Sequence, residues 1–572
     1  MSFGGLLSRL DDGLGSLLSQ WNVYSTGIVT ALVVLVTYSI SSRVEPEIHP
    51  MLLARQGHGS PVRKEGQSPI YRSNAAPHSM PLNSGLNVKE PGASKWSQGR
   101  DGDLRDIWRK AIAGQAEGEG EGEGAKGKGR ILTVLGSEKV VEHKLDDITR
   151  QINLVGQYIS SQGGSKVAIY LPNSVEYIAT LFACSFYNAT AILLPYDQPD
   201  ASIISMLQQS GADTVITCPG TFPFDSVVKS YPALRQLVWV VDEGSKHLDW
   251  NEVPKGMGGK VNVSTWQDIL NDSPQSAGTE LPSTDNQAAA PNVVMFWAPK
   301  TGSVEEMARF TQGNLVSAVS AQLVAIPTKE RFSPADLFLP AAPLSTSYAL
   351  VLTLVAIYSN ASVAFNSVAS PSTDLALATQ GVAPTVVVAT PETLAKTHTE
   401  TKGKLTSALA SFSHWVQTRS LVQNGVMPVA SFIASYNSSL HPRIGIKPGK
   451  LRLVYVAHPA NGNTPLLSEL TLSDLRIFTG ARVIYALTAA QCAGAVAQTQ
   501  FHDYRVSGDG KGSHFGPPVS STEILLHDSG AHKITDDNYT GGIVVRGPAV
   551  VGPEAALGVV ATIRDDNTIA IV

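Results

Sequence analysis

The chain has 572 residues and a formal net charge of −5, with 43% hydrophobic and 16% charged residues. This length exceeds what a single hydrophobic core usually organises, so we expect several subdomains. The apolar fraction is that of a globular protein, and the small negative charge gives no sign of nucleic-acid binding. Cys184, Cys218 and Cys492 are scattered without a C-x-x-C spacing. They predict neither a disulfide framework nor a zinc site, and they suit a reducing compartment.

The first apolar segment lies near the N-terminus. Residues 23–42 are predicted to form a transmembrane anchor after a flank over residues 1–22, because the run is uncharged and about as long as a bilayer requires. Flanking aromatic residues, and basic residues that are more frequent after the run than before it, predict a single pass with the body in the cytosol. The endoplasmic reticulum is the expected membrane. A cleaved signal peptide and a peripheral hairpin in a lipid monolayer are the alternatives.

Two segments are predicted to be disordered. Residues 43–102 are rich in Pro, Ser, Asn, Gly and His without apolar periodicity, which is typical of a tether. A short helix should follow, with Leu104, Ile107 and Trp108 on one face. Residues 114–129 include EGEGEGEGAKGKG, which cannot bury apolar surface, so we expect a solvated loop there.

Beyond this loop, short apolar runs of buried-strand type alternate with helical patterns, as in KVAIYLP and TVITC. Such alternation predicts an α/β fold with parallel sheets. We assign one α/β subdomain to residues 103–290 and a second to residues 291–500. The runs EILLHD and GGIVVRG predict a small β subdomain over residues 501–572.

Several segments resemble the adenylate-forming superfamily, which includes acyl-CoA synthetases, firefly luciferase and peptide-synthetase adenylation domains. VVMFWAPKTGSVEEMARFTQGNL (residues 293–315) is placed like that family's phosphate-binding loop, Y-T-S-G-T-T-G-x-P-K-G. IYALTAAQ lies where the family has Y-G-x-T-E, and GGIVVRGPAVVGP where it has G-E-L-x-V-R-G-P. The resemblance runs from about residue 104 to residue 572. It implies the large N-terminal part of such an enzyme, with a nucleotide and a carboxylate as ligands.

The phosphate-binding loop departs most from the family pattern. Thr301 and Gly302 remain, but the bulky Trp297 precedes them. A phosphate-binding loop needs small residues whose backbone N–H groups close around the anion. Glu305 and Glu306 place carboxylates where a cation is wanted, and two carboxylates repel a triphosphate.

Three further family positions bear on the chemistry. Tyr485 and Thr488 match Y-G-x-T-E, but Ala489 replaces the acid that assists Mg²⁺ in the family. Leu557, Gly558 and Val559 stand where the family has T-G-D, so Val559 replaces the aspartate that holds the ribose hydroxyls. One interpretation is that Tyr485 still stacks on a purine and Thr488 still donates to a phosphate. The other is that both residues finish a core strand.

Other polar candidates are assigned structural roles. Asp565 and Asp566 are interpreted as turn residues of a hairpin rather than displaced ribose ligands. His458 has no orienting partner in the sequence and is predicted to be a surface or loop histidine. Residues 345–347 stand where the family often has a gating histidine, and they are predicted to form a turn. No catalytic residue and no metal site is assigned.

The sequence ends where the family's hinge begins, so the lobe that carries the catalytic lysine is expected to be absent. Together with the altered positions, this predicts a degenerate, acyl-CoA synthetase-like pseudoenzyme without a cofactor. We expect it to contact the lipid bilayer, to bind an acyl ligand or a protein partner, and not to bind nucleic acid. One alternative is an active AMP-forming carboxylate–CoA ligase that uses ATP and Mg²⁺ with displaced residues or a partner's lobe. A second is a structural subunit of a membrane complex.

Overall fold

The computed structural model describes residues 19, 22–41, 45–90, 92–94, 96–114, 127–135, 139–241, 261–283, 290–297, 306–366, 374–428, 437, 439–447, 449–534 and 539–572. Residues 298–305 lie outside these ranges, so the predictions for Thr301, Gly302 and Glu305 fall outside the described residues. The same is true of most of the flank over residues 1–22 and most of the loop over residues 114–129.

The described strands form three sheets. Their bounds are β1 Gly57–Gly59, β2 Tyr71–Ser73, β3 Ile131–Leu135, β4 Lys139–His143, β5 Lys166–Tyr170, β6 Thr190–Leu193, β7 Thr214–Thr217, β8 Gln236–Trp239, β9 Asn262–Thr265, β10 Val293–Trp297, β11 Glu306–Phe310, β12 Leu337–Pro340, β13 Ser362–Asn366, β14 Val386–Ala389, β15 Leu453–Pro459, β16 Arg482–Thr488, β17 Ala497–Gln498, β18 Glu523–His527, β19 Thr540–Arg546, β20 Ala555–Ile563 and β21 Ile569–Ile571.

The described helices lie between and beside these strands. Their bounds are α1 Val23–Ser41, α2 Pro50–Ala54, α3 Leu104–Ala113, α4 Leu145–Ser161, α5 Val175–Phe186, α6 Asp200–Ser210, α7 Phe224–Ser230, α8 Trp266–Asn271, α9 Gln312–Ala325, α10 Ser347–Tyr358, α11 Leu375–Ala378, α12 Pro391–Gly403, α13 Ala408–Asn424 and α14 Glu469–Thr479.

Two large sheets are mainly parallel. One has seven strands in the order β11-β10-β6-β5-β7-β8-β9, and the other has eight in the order β17-β16-β15-β14-β12-β13-β3-β4. Antiparallel strands β11, β17 and β4 close three of their edges. The third sheet, β1-β2-β18-β19-β20-β21, is antiparallel throughout. The predicted α/β fold is confirmed, although the two large sheets are mixed rather than purely parallel.

One continuous hydrophobic core joins the three sheets. Helices α5 and α10 are mainly apolar and are buried on almost every side, as expected for helices within a large core. The predicted helix face on α3 is confirmed, because Leu104, Ile107 and Trp108 are fully buried. Trp108 packs against Phe182 on α5 with their ring centroids 5.1 Å apart.

The N-terminal segment is folded, so the prediction of a disordered tether over residues 43–102 is wrong for its described part. Tyr71 on β2 pairs with Ile524 on β18, which adds β1 and β2 to the antiparallel sheet. Gln56 donates from Nε2 to the Asp503 carboxylate at 2.7 Å. The composition of residues 43–102 gave the wrong prediction because edge strands and buried polar contacts require no apolar periodicity.

Glu47 attaches the start of this segment to the eight-stranded sheet. Its carboxylate accepts hydrogen bonds from Tyr504 Oη at 2.7 Å and Arg482 Nη2 at 3.0 Å, and it lies 2.8 Å from His502 Nδ1. The Met427 backbone N–H donates to the same carboxylate at 3.1 Å. Burial would raise the pKa of Glu47, but the hydrogen bonds from His502 and Tyr504 outweigh it and lower the pKa to about 2.

Helix α1 covers most of the predicted anchor, and its described apolar side chains, such as Ile28 and Leu32, are exposed. Thr30 interrupts its apolar run, and Ser25 and Thr26 precede that run. Within the part of the chain that the structure describes, no helix combines the length and hydropathy needed to cross a bilayer. The prediction of a transmembrane helix over residues 23–42 is therefore not supported, and the membrane location stays a prediction.

Candidate functional site

The carboxyl ends of β14, β15 and β16 meet at one edge of the eight-stranded sheet, because these strands are parallel neighbours. Open α/β sheets bind ligands at such edges. A cavity of about 610 Å³, counting its open mouth, lies there, and we call it the strand-end cavity. It is lined by Trp297, Ala342, Pro343, Thr346, Ser347, Tyr348, Ala349, Val388, Ala389, Thr390, Pro391, Glu392, Ala457, Pro459, Thr464 and Thr488.

A second cavity of about 550 Å³ lies against the β10–β11 hairpin, and we call it the hairpin cavity. Trp297 lines both cavities and therefore stands between them. The residues that line the hairpin cavity are Trp297, Glu306, Ala460, Asn461, Ala489, Ala490, Gln491, Ala555, Ala556 and Leu557.

The strand-end cavity has mainly apolar walls, and its hydroxyl groups are already engaged. Thr346 donates to the Pro343 carbonyl oxygen at 2.7 Å, and Thr488 donates to the His458 carbonyl oxygen at 3.2 Å. The remaining volume suits an apolar ligand, since small-molecule sites are largely lined by such side chains.

The hairpin cavity has a carboxylate in its lining. Trp297 and Glu306 pair directly across the antiparallel hairpin, and Gln491 donates from Nε2 to Glu306 Oε1 at 2.7 Å. Ala489 contributes only a methyl group, and Asn461 donates its amide to the Leu557 carbonyl oxygen at 2.7 Å. Among the described residues that line this cavity there is one carboxylate and no cationic side chain.

Tyr485 lies in the middle of the core strand β16 and Thr488 ends it, so both have the structural role of the second interpretation. Tyr485 is fully buried, and its hydroxyl accepts a hydrogen bond from the Leu467 N–H at 3.2 Å. Its ring lies 4.7 Å from that of Phe515, between centroids. Burial raises the pKa of Tyr485 above its ordinary value. The ring therefore belongs to the core in this structure, whereas Thr488 reaches the wall of the strand-end cavity.

Val559 lies on β20, half-buried against the hydrophobic core. Gly558 before it has a φ of +69°, and a methyl group there would lie 2.6 Å from the Asn461 side-chain nitrogen. The glycine of the family's T-G-D motif is thus required by the backbone here, while the acid is missing. The hairpin interpretation of Asp566 is confirmed, because its carboxylate accepts from the Thr568 N–H and hydroxyl between β20 and β21.

His458 is not a surface or loop residue, so that prediction is wrong. It lies on β15, which continues through Pro459, and only 5% of it is exposed. Its Nδ1 is 3.2 Å from the Thr464 hydroxyl. Burial lowers the pKa of His458 to about 4, so the ring is neutral at physiological pH.

The turn predicted at residues 345–347 is confirmed for Ser345 and Thr346, whereas Ser347 is the first residue of helix α10. Thr346 occupies the N-cap position of this helix, and Ser345 and Ser347 on either side of it are buried. Sequence reasoning missed Asn461 and Gln491, whose partners are distant in the chain. A sequence signal did exist for Asn461, since asparagine readily adopts positive φ and here has a φ of +60°.

Residues 146–552 match the family model of the AMP-binding enzymes. The chain belongs to this family. A search of curated proteins finds no match. The segments that resemble the phosphate loop, Y-G-x-T-E and T-G-D contribute Glu306, Ala489 and Leu557, which line the hairpin cavity together. Residues from three separate family motifs therefore meet at this one cavity.

Solved structures show the same fold at low sequence identity. The anthranilate CoA ligase AuaEII, in complex with anthranoyl-AMP, is 14% identical with a TM-score of 0.55, covering 82% of this chain and 77% of that one. The N-terminal domain of FACL13 from Mycobacterium tuberculosis is 13% identical with a TM-score of 0.53, covering 82% and 100%. The coronafacic acid ligase from Pectobacterium brasiliense is 13% identical with a TM-score of 0.53, covering 82% and 77%.

Proposed function

We propose that this protein is a carboxylate–CoA ligase-like member of the AMP-binding family that binds an acyl ligand but no longer adenylates it. The observation that carries this proposal is the hairpin cavity, where Gln491 holds the Glu306 carboxylate. Ala489 and Val559 stand at the positions of the two acids that the family resemblance implies.

Adenylation requires a site that binds a polyphosphate and neutralises the charge that develops during transfer. Glu306 adds negative charge on the side where phosphate would lie. Ala489 cannot assist Mg²⁺, and Val559 cannot accept a hydrogen bond from a ribose hydroxyl. The described residues therefore do not fit ATP and Mg²⁺, and no chemical step is assigned to them.

The strand-end cavity supports the binding part of the proposal. Its walls include Val388 and Ala389 from β14 and Ala457 from β15. An acyl or aryl group is the ligand that such apolar walls favour.

Carboxylate-dependent exchange between ATP and pyrophosphate, measured with acids from acetate to oleate, tests the loss of adenylation. We expect no exchange above a heat-killed control, because each missing charge-stabilising group costs about 10²–10³-fold in rate. Calorimetric titration with the same acids tests the binding part. Exchange with any one acid overturns the proposal that the protein no longer adenylates. If none of the acids binds, the proposal of an acyl ligand is overturned.

An active AMP-forming ligase is the second candidate, and membership of the AMP-binding family favours it. It would require residues that act from displaced positions. Exchange with at least one acid in the same assay would identify this candidate.

A further inference from the structure

Helix α13 presents an apolar surface to solvent that the proposed function does not use. Ala410, Ser413, Gln417 and Leu421 form its buried side. On the opposite side, Leu409, Phe412 and Trp415 are 64%, 55% and 54% exposed. We call these three residues the aromatic ridge.

The aromatic ridge is ordered and carries positive charge at its end. The Phe412 and Trp415 rings stack with their centroids 5.9 Å apart, and the Arg419 guanidinium lies 5.6 Å from the Trp415 ring centroid. Arg419 Nε donates to Gln423 Oε1 at 2.8 Å. Helix α13 contains no carboxylate, and the exposed Lys404 precedes it. Tryptophan beside arginine is typical of segments that lie in the headgroup region of a membrane.

The rest of the protein holds α13 with the aromatic ridge outward. His414 Nε2 lies 2.8 Å from the Asp474 carboxylate on α14, on the flank of the helix away from solvent. The His414 and Phe478 rings are 5.2 Å apart between centroids. Asp474 is also bound by His398 Nε2 at 2.9 Å and Lys402 Nζ at 3.1 Å. Rotating the ridge inward would break these contacts.

A second exposed apolar element leaves the protein beside the same helix. The Glu47 N–H donates to the carbonyl oxygen of Gly425, which ends α13, at 3.1 Å. The chain from Ser41, the last residue of α1, to Glu47 spans at most ~20 Å. The C-terminal end of the exposed helix α1 therefore lies within ~20 Å of Glu47, beside the C-terminal end of α13.

We propose that the aromatic ridge inserts into the interfacial region of an anionic lipid membrane, with Arg419 and Lys404 among the lipid phosphates. About half of two aromatic side chains and one leucine amount to roughly 300 Å². A stable protein interface needs ~800 Å² on each partner, so this convex ridge is too small for one. Two modest membrane contacts, here α1 and the ridge, together give stable attachment where one does not.

Quenching by brominated lipids tests insertion at one residue. The full chain is mixed with vesicles of phosphatidylcholine and phosphatidylserine that carry bromine on the acyl chains. Tryptophan fluorescence is compared between the wild type, Trp415→Phe and Trp96→Phe. Trp96 is 90% exposed and serves as the matched control. We expect the quenched fraction to fall in Trp415→Phe and to rise slightly in Trp96→Phe, because the latter removes an unquenched tryptophan.

Flotation with the same vesicles tests the contribution to affinity. We expect the double variant Phe412→Gln/Trp415→Gln to partition onto the vesicles about ten-fold less than the wild type. Arg419→Gln should bind more weakly than the wild type on vesicles that contain phosphatidylserine, and equally well on vesicles that lack it. Equal quenching in the wild type and Trp415→Phe overturns the proposal, whatever α1 contributes. The proposal is also overturned if brominated lipid quenches the protein only when the lipid is dispersed as micelles and the protein does not float with vesicles.

Discussion

The strand-end cavity and the hairpin cavity share Trp297, yet different kinds of residue form them. The strand-end cavity is walled by side chains such as Val388 and Ala389, which are almost completely buried and also hold β14 in the core. The hairpin cavity is walled by residues of turns and strand ends, such as Gln491 and Ala556. Replacing the first set would cost folding free energy, whereas replacing the second set costs little. The part of a site that is also core can therefore persist while the part that handles charge changes.

The largest effect should come from filling the strand-end cavity. Ala457→Phe places a ring in the space that the ligand would occupy, so we expect about 30-fold weaker binding of the tightest acid in a series from acetate to oleate. This corresponds to about 2 kcal/mol, the usual size of an overpacking effect. Isothermal titration measures it. Ala556→Phe, which reaches only the hairpin cavity, is the control, and equal losses in both variants would contradict the division between the cavities.

Glu47 offers a test at the opposite end of the same sheet. Glu47→Gln should destabilise the protein at pH 7 without changing ligand affinity. The depression of the Glu47 pKa corresponds to ~3 kcal/mol, which partial exposure reduces to about 2 kcal/mol. Urea unfolding followed by tryptophan fluorescence measures the loss.

The pH dependence gives the sign of this effect. The pKa of Glu47 is lower in the folded protein, so its contribution is complete above about pH 4.5 and is lost as the pH falls towards 2. The variant should therefore differ most from the wild type near neutral pH and least near pH 2. Glu65→Gln, at an exposed position, should behave like the wild type at every pH.

A smaller effect is expected at Glu306. Removing its charge with Glu306→Gln should strengthen binding of Mg·ATP about five-fold, because a carboxylate near a polyphosphate costs about 1 kcal/mol when partly solvated. Asp509→Asn, at a side chain that is 67% exposed, controls for net charge. Unchanged affinity in Glu306→Gln would show that this carboxylate does not face the nucleotide.

The smallest effect is expected at Val559. Val559→Asp should change the affinity for Mg·ATP by less than ~2-fold, since one restored hydrogen bond to ribose contributes little while the phosphates remain repelled. The wild-type dissociation constant should be weaker than ~100 μM, or about −5.5 kcal/mol. Tight binding by the single variant would mean that loss of the ribose acid alone explains the weak affinity.

The fold was more predictable than the site because apolar periodicity reports burial. Buried strands such as β5 are continuous apolar runs, and α3 buries the residues that its period places on one face. The pair between Gln491 and Glu306 is different, since 185 positions separate the two residues and nothing local marks either one. His458 was misplaced because a histidine at the end of a buried strand looks like a turn residue. Burial by a neighbouring strand has no local sequence pattern.

The pairing of β2 with β18 has a practical consequence for producing the protein in shortened form. A fragment that starts at residue 104 would lose β1 and β2 and would leave β18 as an open edge strand rich in Ile and Leu. Exposed apolar edges of this kind promote self-association between molecules. A fragment that starts at Glu45 keeps that edge covered and keeps Asn567 donating to the Gly57 carbonyl oxygen at 2.8 Å. It should stay monodisperse in gel filtration, whereas the shorter fragment should elute as aggregates.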